Sequence, residues 1–326
     1  MADEPVKVSL NEEGMIMPRV FRFTEYGGPE TQEFVDLPEP RPGPSEILVK
    51  VKSAGVNPVD YKIRAGMLKD FDPRQLPSEF GSEVSGVVAE LGQDVDGFAV
   101  GDEVFGSPAP SHGAFSEYTV TSATATSKKP PQVSFNDAAT LPVAAATGYD
   151  GIVHLGLSKG QTLLITGVGG GVGVAAAQIA RDAGIAVFGT ASESKRALVE
   201  SLSVTLVPYD DADSGGVEQR VRELLPDGVD GILDLVGGDA LRSAAGLVKD
   251  RKKLLSTADP ATVAELGGAP VNRDRTSRVL DEVARLVADG KLDPHVNDVL
   301  GFDDAPQAIA AVESGHPQGK VVIQIT

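Results

Sequence analysis

The sequence predicts an α/β protein with two domains, one of which is built on a doubly wound parallel sheet. Its 326 residues are enough for two domains with sizeable cores. The first third of the chain alternates apolar and polar residues between glycines, prolines and aspartates, which is typical of β-strands. After about residue 136, short apolar runs alternate with helical stretches, which predicts βαβ units and a sheet covered on both faces.

The strands of the first domain are expected in four stretches, VFRFTEY, EILVKVKSAGV, SGVVAELG and DEVFG. Residues 38–46, PEPRPGPSE, are too rich in proline for a helix or a central strand, so they predict a surface connection. The segment NDAATLPVAAATGYDGIVHLG has helical spacing, and we expect Asn136 and Asp137 to cap its start.

The second domain is expected to alternate strands with helices. The predicted strands are TLLITG, AVFGTA, TLVPY, GILDLVG and KLLST, and the predicted helices are GVGVAAAQIARDAG, SESKRALVESL, GGVEQRVRELL and GDALRSAAGLV. A further amphipathic helix, SRVLDEVARLVADG, ends at Gly290. The tail VVIQIT alternates again, so we expect it to rejoin the sheet of the first domain.

The composition argues against several classes of function. The net charge of −18 disfavours nucleic acids and anionic membranes as partners. Because there is no cysteine, disulfides, thiolate chemistry and cysteine-bound zinc are excluded. We find neither a membrane-spanning apolar run nor a signal peptide, so we expect a cytoplasmic protein. Residues 1–16 are largely polar and acidic and predict a flexible N-terminal arm.

A glycine-rich turn joins the first strand and the first helix of the βαβ repeat, in LLITGVGGGVGVAAAQIA. Its glycines follow the spacing G-x-x-G-x-x-G at Gly167, Gly170 and Gly173, because Val168 occupies the first glycine position of the common G-x-G-x-x-G motif. Residues without a Cβ let backbone N–H groups approach a pyrophosphate at the N-terminus of the helix. In this context the turn predicts a dinucleotide site, and a merely flexible loop is the alternative.

The end of the next strand is expected to select the cofactor. NAD sites carry an acidic residue about 20 positions after the turn, whereas this chain has Ala191 there, followed by Ser192, Lys195 and Arg196. A small residue with a hydroxyl and cations beside it suits a 2′-phosphate, so we predict NADPH. Glu193 opposes this prediction through its charge. The alternative is that Lys195 and Arg196 only solvate a helix face.

Several segments, in order from about residue 17 to the C-terminus, resemble one family. They are GVNPVDYKIRAG, GSEVSGVVAELG, VGDEVFG, GAFSEYTVTSAT, LPVAAATGYDGI, the glycine turn and GKVVI. Together they resemble the zinc-independent medium-chain dehydrogenases/reductases of the quinone oxidoreductase (zeta-crystallin-like) type. The resemblance implies a GroES-like β-barrel-type domain over residues 17–140 and 293–326, a Rossmann domain over residues 141–292, an active site in the cleft between them, and a homodimer.

The resemblance also implies chemistry without a metal. Zinc-dependent relatives carry a cysteine in the motif that here reads AGVNPVD and a histidine after the glycine of GSEVSG, where this chain has Asn57 and Ser82. Without a Lewis acid, the acceptor must already be activated. Hydride transfer from NADPH to a quinone or another conjugated carbonyl compound is therefore expected, with hydrogen-bond donors stabilising the oxyanion.

By the same resemblance, Asn57, Asp60 and Tyr61 line the site near the nicotinamide, Thr147 contacts the nicotinamide, and Tyr209 lies beside the adenosine 2′-phosphate. These first four form the predicted catalytic set, although capping, ion pairing or core packing are alternative roles for Asn57, Asp60 and Tyr61. The predicted cofactor-binding residues are Gly167, Val168, Gly169, Gly170, Gly171, Val172, Gly173, Thr190, Ser192, Lys195, Arg196, Tyr209, Val236 and Gly237.

Two other functions stay open from the sequence. The same scaffold would suit a reductase of enoyl thioesters or alkenals, and a relative without turnover would be a nucleotide-dependent binding scaffold. In the leading interpretation, the partner is a small electrophilic substrate, with no nucleic acid and no membrane.

Overall fold

The computed structural model describes residues 16–210, 216–315 and 319–325. The predicted N-terminal arm lies outside the described residues, apart from Ile16. Over the described residues the chain divides into two compact units. The first runs up to Val143 and adds Thr276–Ala284 and the residues from Val296 onward, and the second comprises Ala144–Arg275 and Arg285–His295. The predicted domain boundaries, after residues 140 and 292, stay a prediction, because a single helix is divided between the units.

The first stretch of the chain is mostly β-structure, as its alternating pattern predicted. Its helices are α1 (Pro58–Arg64) and α2 (Phe135–Ala138), followed by a π-helical turn at Leu141–Ala145. Its strands are β1 (Arg19–Phe23), β2 (Gln32–Asp36), β3 (Glu46–Val56), β4 (Ser78–Glu79), β5 (Val84–Leu91), β6 (Glu103–Pro108) and β7 (Tyr118–Lys128).

The predicted cap of the helix after residue 134 was wrong. The N-cap is Ser134, whose Oγ accepts a hydrogen bond from the Asp137 N–H at 3.0 Å. Asn136 and Asp137 therefore lie inside the first turn of α2. Ser and Asp at this three-residue spacing satisfy each other, since the Ser134 Oγ also donates to the Asp137 carboxylate.

The second stretch alternates helices and strands in the predicted way. Its helices are α3 (Ala146–Leu155), α4 (Gly171–Asp182), α5 (Arg196–Ser201), α6 (Val217–Leu224), α7 (Gly238–Ala245) and α8 (Pro260–Glu265). Its strands are β8 (Thr162–Thr166), β9 (Ala186–Ala191), β10 (Thr205–Pro208), β11 (Gly231–Asp234), β12 (Leu254–Ser256) and β13 (Ala269–Pro270). They form one parallel sheet in the order β10-β9-β8-β11-β12-β13. This order reverses direction at β8, as in a doubly wound Rossmann sheet, so the predicted fold class is confirmed.

The last stretch contains α9 (Ser277–Ala288), β14 (Val296–Gly301), α10 (Ala305–Glu313) and β15 (Lys320–Gln324). Strand β15 pairs antiparallel with β3, so the tail rejoins the first sheet as its pattern predicted. That sheet has the order β14-β15-β3-β5-β6-β7, and β7 also pairs with β3, which closes the strands β3, β5, β6 and β7 into a ring. Among the described helices, none has the length and apolarity that crossing a bilayer requires.

Candidate functional site

The glycine turn follows the end of β8, where the strand leaves the sheet. Gly167 has a φ of +73°, a conformation that suits glycine, and a Cβ there would lie 2.9 Å from Val236 Cγ2. Gly170 is the N-cap of α4 and has no side chain to cap the helix. No side chain therefore caps the first N–H groups of this twelve-residue helix, and they point into the space beyond the glycine turn.

Val168 and Gly173 explain the unusual glycine spacing. The Val168 side chain is fully buried and packs against β9, where a Cβ on Gly189 would lie 2.4 Å from its Cγ1. A Cβ on Gly173 would lie only 2.6 Å from the Val168 Cα and carbonyl oxygen. The residue at the missing glycine position is thus a core anchor, and Gly173 lets α4 approach it closely.

We expect Gly173→Ala to destabilise the protein by about 1 to 3 kcal/mol, because the added methyl overpacks the contact with Val168. The measurement is the free energy of unfolding in urea. Gly170→Ala is the matched control, since its Cβ would meet nothing closer than 3.6 Å and its φ is −94°. Equal stability losses in the two variants would contradict this account of the glycine spacing.

A cavity of about 450 Å³ lies against the glycine turn. The predicted cofactor residues that line it are Gly167, Gly169, Gly170, Thr190, Ser192, Lys195, Tyr209 and Val236. Predicted residues that do not line it are Val168, Gly171, Val172, Gly173, Arg196 and Gly237. Lining residues absent from the predicted set are Thr166, Ala191, Val217, Asp239, Ala240 and Ser243.

Three of the unpredicted lining residues belong to one helix. Asp239, Ala240 and Ser243 lie in the first two turns of α7, directly after the turn that contains Val236 and Gly237. The signal that could have found them is the helix start in GGDALRSA, because residues at spacings of three and four lie on one helix face.

Lys195 and Arg196 are placed differently, although they are neighbours in sequence. The Lys195 stem passes over Gly169, its Nζ donates to the Gly169 carbonyl at 3.2 Å, and burial lowers the pKa of its ammonium. The Arg196 guanidinium donates hydrogen bonds to Glu193 and to Glu200, each at 2.8 Å. These bonds raise the pKa of Arg196, and the bond to Glu193 contributes most. Lys195 therefore faces the cavity, whereas Arg196 offsets the charge of Glu193 outside it.

The predicted catalytic residue Asn57 is the N-cap of α1 and belongs to a buried polar cluster in the first unit. Lys320 Nζ donates to Asn57 Oδ1 at 2.6 Å and to Glu83 Oε1 at 2.8 Å, and Asn57 Nδ2 donates to the same Glu83 oxygen at 2.8 Å. Glu83 Oε2 accepts the Val143 N–H at 2.8 Å. Asn57, Glu83 and Lys320 are each at most 5% exposed. The orientation of the Asn57 amide is therefore determined by a cation on one side and a carboxylate on the other.

Asp60 extends this cluster from the first turn of α1. Its Oδ2 accepts the Asn57 N–H at 2.8 Å, and its Oδ1 accepts the Ser82 hydroxyl at 2.8 Å. Burial raises the pKa of Asp60 to about 6, with Glu83 adding to the rise and the two hydrogen bonds and Lys320 opposing it. Asp60 thus caps a helix and is also a carboxyl group that titrates near neutral pH.

The pKa of Asp60 predicts how stability depends on pH. Because its pKa is about 6 in the folded protein and near 4 in an unfolded chain, the folded state binds the proton more tightly. The stabilisation is fully present below about pH 4 and is lost as the pH rises through about 6. Asp60→Asn has no charge to bury, so between pH 4.5 and 8 we expect wild type to lose about 2 kcal/mol relative to it.

Urea unfolding of both proteins across this pH range measures the difference. Glu79, whose pKa burial also raises, is present in both proteins and cancels. Parallel curves of unfolding free energy against pH would contradict the assignment to Asp60.

The remaining predicted catalytic residues lie in different units. Tyr61 is half-buried in α1 and packs against the hydrophobic core of the first unit, whereas Thr147 is buried in the first turn of α3 in the second unit. Their joint action with Asn57 and Asp60 stays a prediction. In the described part of the chain, no group of three His, Cys, Asp or Glu residues is arranged to hold a metal ion.

The fold and the cavity define a class of protein. A parallel sheet of this order, with a glycine turn, a helix N-terminus and a cavity together at its switch point, is a dinucleotide-binding unit. Here it shares one chain with a separate β-sheet unit.

Comparison with known families finds two matching family models. The family model described as zinc-binding dehydrogenase matches residues 202–323, and the one described as alcohol dehydrogenase GroES-like domain matches residues 43–131. The NAD(P)H oxidoreductase RTN4IP1, mitochondrial, of Danio rerio is 32% identical, with 86% of this chain and 84% of that protein covered. The 2-methylene-furan-3-one reductase of Solanum lycopersicum is 30% identical, with 94% and 78% covered.

A solved structure shows the same similarity. The quinone oxidoreductase from Coxiella burnetii superposes with a TM-score of 0.85 at 29% identity, covering 95% of this chain and 99% of that one. The chain belongs to the quinone oxidoreductase group of the medium-chain dehydrogenase/reductase superfamily of NAD(P)H-dependent oxidoreductases. The resemblance found in the sequence segments is thereby confirmed.

Proposed function

We propose that the protein is an NADPH-dependent reductase that transfers hydride to quinones or related conjugated carbonyl compounds without a metal ion. The observation that carries this proposal is the wall of the cavity at the end of β9. Ala191 stands there in place of an acidic residue, and Ser192 and Lys195 line the same cavity. A hydroxyl and a cation suit a 2′-phosphate, whereas a carboxylate at Ala191 would repel it.

The second support is the restraint on the Asn57 amide. Its Oδ1 accepts from Lys320 and one Nδ2 hydrogen goes to Glu83. These bonds fix the amide in one orientation, in which the second Nδ2 hydrogen is a further donor. NADPH, when bound, supplies the hydride, and reduction of a conjugated carbonyl leaves negative charge on its oxygen. A preorganised amide donor stabilises such an oxyanion, and this is the role we propose for Asn57.

An enone or alkenal is the second candidate for the acceptor. The tomato relative is named for reduction of an exocyclic enone, 2-methylene-furan-3-one. Hydride addition to such a β-carbon also leaves an oxyanion, so the same donor serves both acceptors. Enoyl thioesters as acceptors, the homodimer and the cytoplasmic location stay predictions from the sequence.

The test is oxidation of NADPH and of NADH against a quinone, an enone and an enoyl thioester, with and without EDTA. We expect turnover of a quinone or an enone, a higher kcat/KM with NADPH, and no effect of the chelator. Tight NADPH binding without turnover of any acceptor would support the non-catalytic scaffold instead. Equal kcat/KM for the two dinucleotides would contradict the proposed 2′-phosphate site, and loss of activity in EDTA would contradict metal-free chemistry.

A further inference from the structure

Three neighbouring strands of the parallel sheet end side by side, and the first of them, β8, ends at the cavity wall. They end at Thr166 in β8, Asp234 in β11 and Ser256 in β12. The strand register pairs Asp234 with Thr166 on one side and with Ser256 on the other. Residues in register on adjacent strands point to the same face, so these three side chains meet.

The Asp234 carboxylate is fully buried at this junction and accepts every hydrogen bond it makes. Thr166 Oγ1 donates to its Oδ1 and Ser256 Oγ donates to its Oδ2, each at 2.6 Å. The N–H groups of Val236 and Gly237 donate to the same carboxylate at 3.0 to 3.3 Å. A buried carboxylate needs such partners, and these link two strands and a turn to one side chain.

The turn that Asp234 holds is part of the cavity wall. Val236 lines the cavity and approaches the glycine turn, since a Cβ on Gly167 would lie 2.9 Å from its Cγ2. Gly237 has a φ of +80°, and α7 begins at the next residue and places Asp239 in the lining. Asp234 itself is absent from the lining. Its effect on the cavity therefore acts through the residues that follow it.

We propose that Asp234 is a positioning residue of the cofactor cavity. Its carboxylate binds the turn at Val236 and Gly237 to the ends of three strands, and it thereby sets the position of the wall that faces the dinucleotide. This inference rests on the proposed NADPH function and adds to it a residue that the ligand does not reach. An amide does not reproduce the carboxylate. Ser256 Oγ already accepts the N–H groups of Ala258 and Asp259, so its own proton must go to an acceptor at position 234. On the other side the Val236 N–H donates to Oδ1, and an amide NH2 there would lose that bond.

The opposite ends of β8 and β11 offer a matched control. Asp230 Oδ2 accepts the Thr162 N–H at 2.8 Å and the Thr162 hydroxyl at 2.9 Å, and its Oδ1 accepts Lys249 Nζ at 2.9 Å. The pairs Asp230–Thr162 and Asp234–Thr166 therefore bridge β11 to β8 with the same residue types. Neither Asp230 nor Thr162 lines the cavity.

The experiment compares Asp234→Asn with Asp230→Asn by NADPH fluorescence titration and by amide hydrogen exchange of the cofactor-free proteins. We expect Asp234→Asn to raise the Kd for NADPH at least tenfold and to speed exchange at Val236 and Gly237 at least tenfold. Asp230→Asn should leave the Kd and these exchange rates within twofold of wild type. Ser256→Ala removes one of the two hydroxyl donors to Asp234, together with the N–H bonds that this hydroxyl accepts, at a residue that does not line the cavity, and it should raise the Kd about threefold.

A Kd within twofold of wild type for Asp234→Asn, or an equal rise for Asp230→Asn, would overturn the inference. If Asp234→Asn does not fold, Ser256→Ala decides, and an unchanged Kd in that variant overturns it. Failure of wild type to bind NADPH would instead contradict the proposed function. In that case the exchange rates at Val236 and Gly237 still decide whether Asp234 positions the turn.

Discussion

Replacing Lys195 by methionine is expected to raise the KM for NADPH about tenfold to a hundredfold, because a charge-assisted hydrogen bond is worth about 1.5 to 3 kcal/mol. The KM for NADH should stay within about twofold, since NADH has no 2′-phosphate for the ammonium to bind. Methionine retains a long apolar side chain that can still cover Gly169, where the Lys195 stem lies. The variant therefore removes the charge and keeps most of the packing.

Steady-state kinetics with both dinucleotides at one saturating acceptor concentration measures this effect. Arg196→Ala is the companion variant, and we expect it to change the KM for NADPH no more than about threefold, because exposed ion pairs contribute little. Its guanidinium forms ion pairs with Glu193 and Glu200, and Arg196 does not line the cavity. Equal increases of KM for NADPH and NADH in Lys195→Met would mean that Lys195 supports the turn through the Gly169 carbonyl and does not recognise a phosphate.

Replacing Lys320 by methionine is expected to destabilise the protein by about 3 to 5 kcal/mol, because it leaves a buried carboxylate without its cation. Glu83 has no exposed surface, and Lys320 Nζ lies 2.8 Å from it. Such a loss is a large share of the 5 to 15 kcal/mol that stabilises an ordinary domain. The measurement is urea unfolding at pH 7.5, from the midpoint and the slope.

Two further variants make this result specific to the pair. Lys128→Met removes an exposed ion pair with Asp102 in the same unit and should cost at most about 1 kcal/mol. The double variant Glu83→Gln/Lys320→Met removes both charges and should recover most of the loss. A loss below about 1 kcal/mol for Lys320→Met alone would show that Glu83 is not held as a buried charge.

Local patterns in the sequence predicted much of the cofactor cavity. The glycines, the strand before them and the helix after them are consecutive in the chain, and their steric requirements can be read from neighbouring residues. Thr190, Ser192 and Lys195 were predicted because they lie at the end of the next strand of a regular βαβ repeat or shortly after it. The same logic located Val236 at the end of β11, and all four line the cavity.

The different roles of Lys195 and Arg196 could not be predicted in this way. Both are cations after the same strand, but α5 begins at Arg196, which places its side chain one turn from Glu200. The short helical turn before it brings Glu193 to the same guanidinium. Which of two adjacent cations faces a cavity depends on helix phase, and a one-residue uncertainty in a helix start reverses the answer.

Distant contacts account for the rest of the difference between sequence and structure. Asn57, Glu83 and Lys320 come from a helix start, the residue before a strand and the first residue of β15, with as many as 263 positions between donor and acceptor. Asp234 and its partners come from three separate strands. Periodicity and glycine spacing are local properties, so they were sufficient for the fold class and the dinucleotide turn. The partners of a buried charge are chosen by strand pairing across the whole chain, and only the folded sheets bring Lys320 to Glu83 and Ser256 to Asp234.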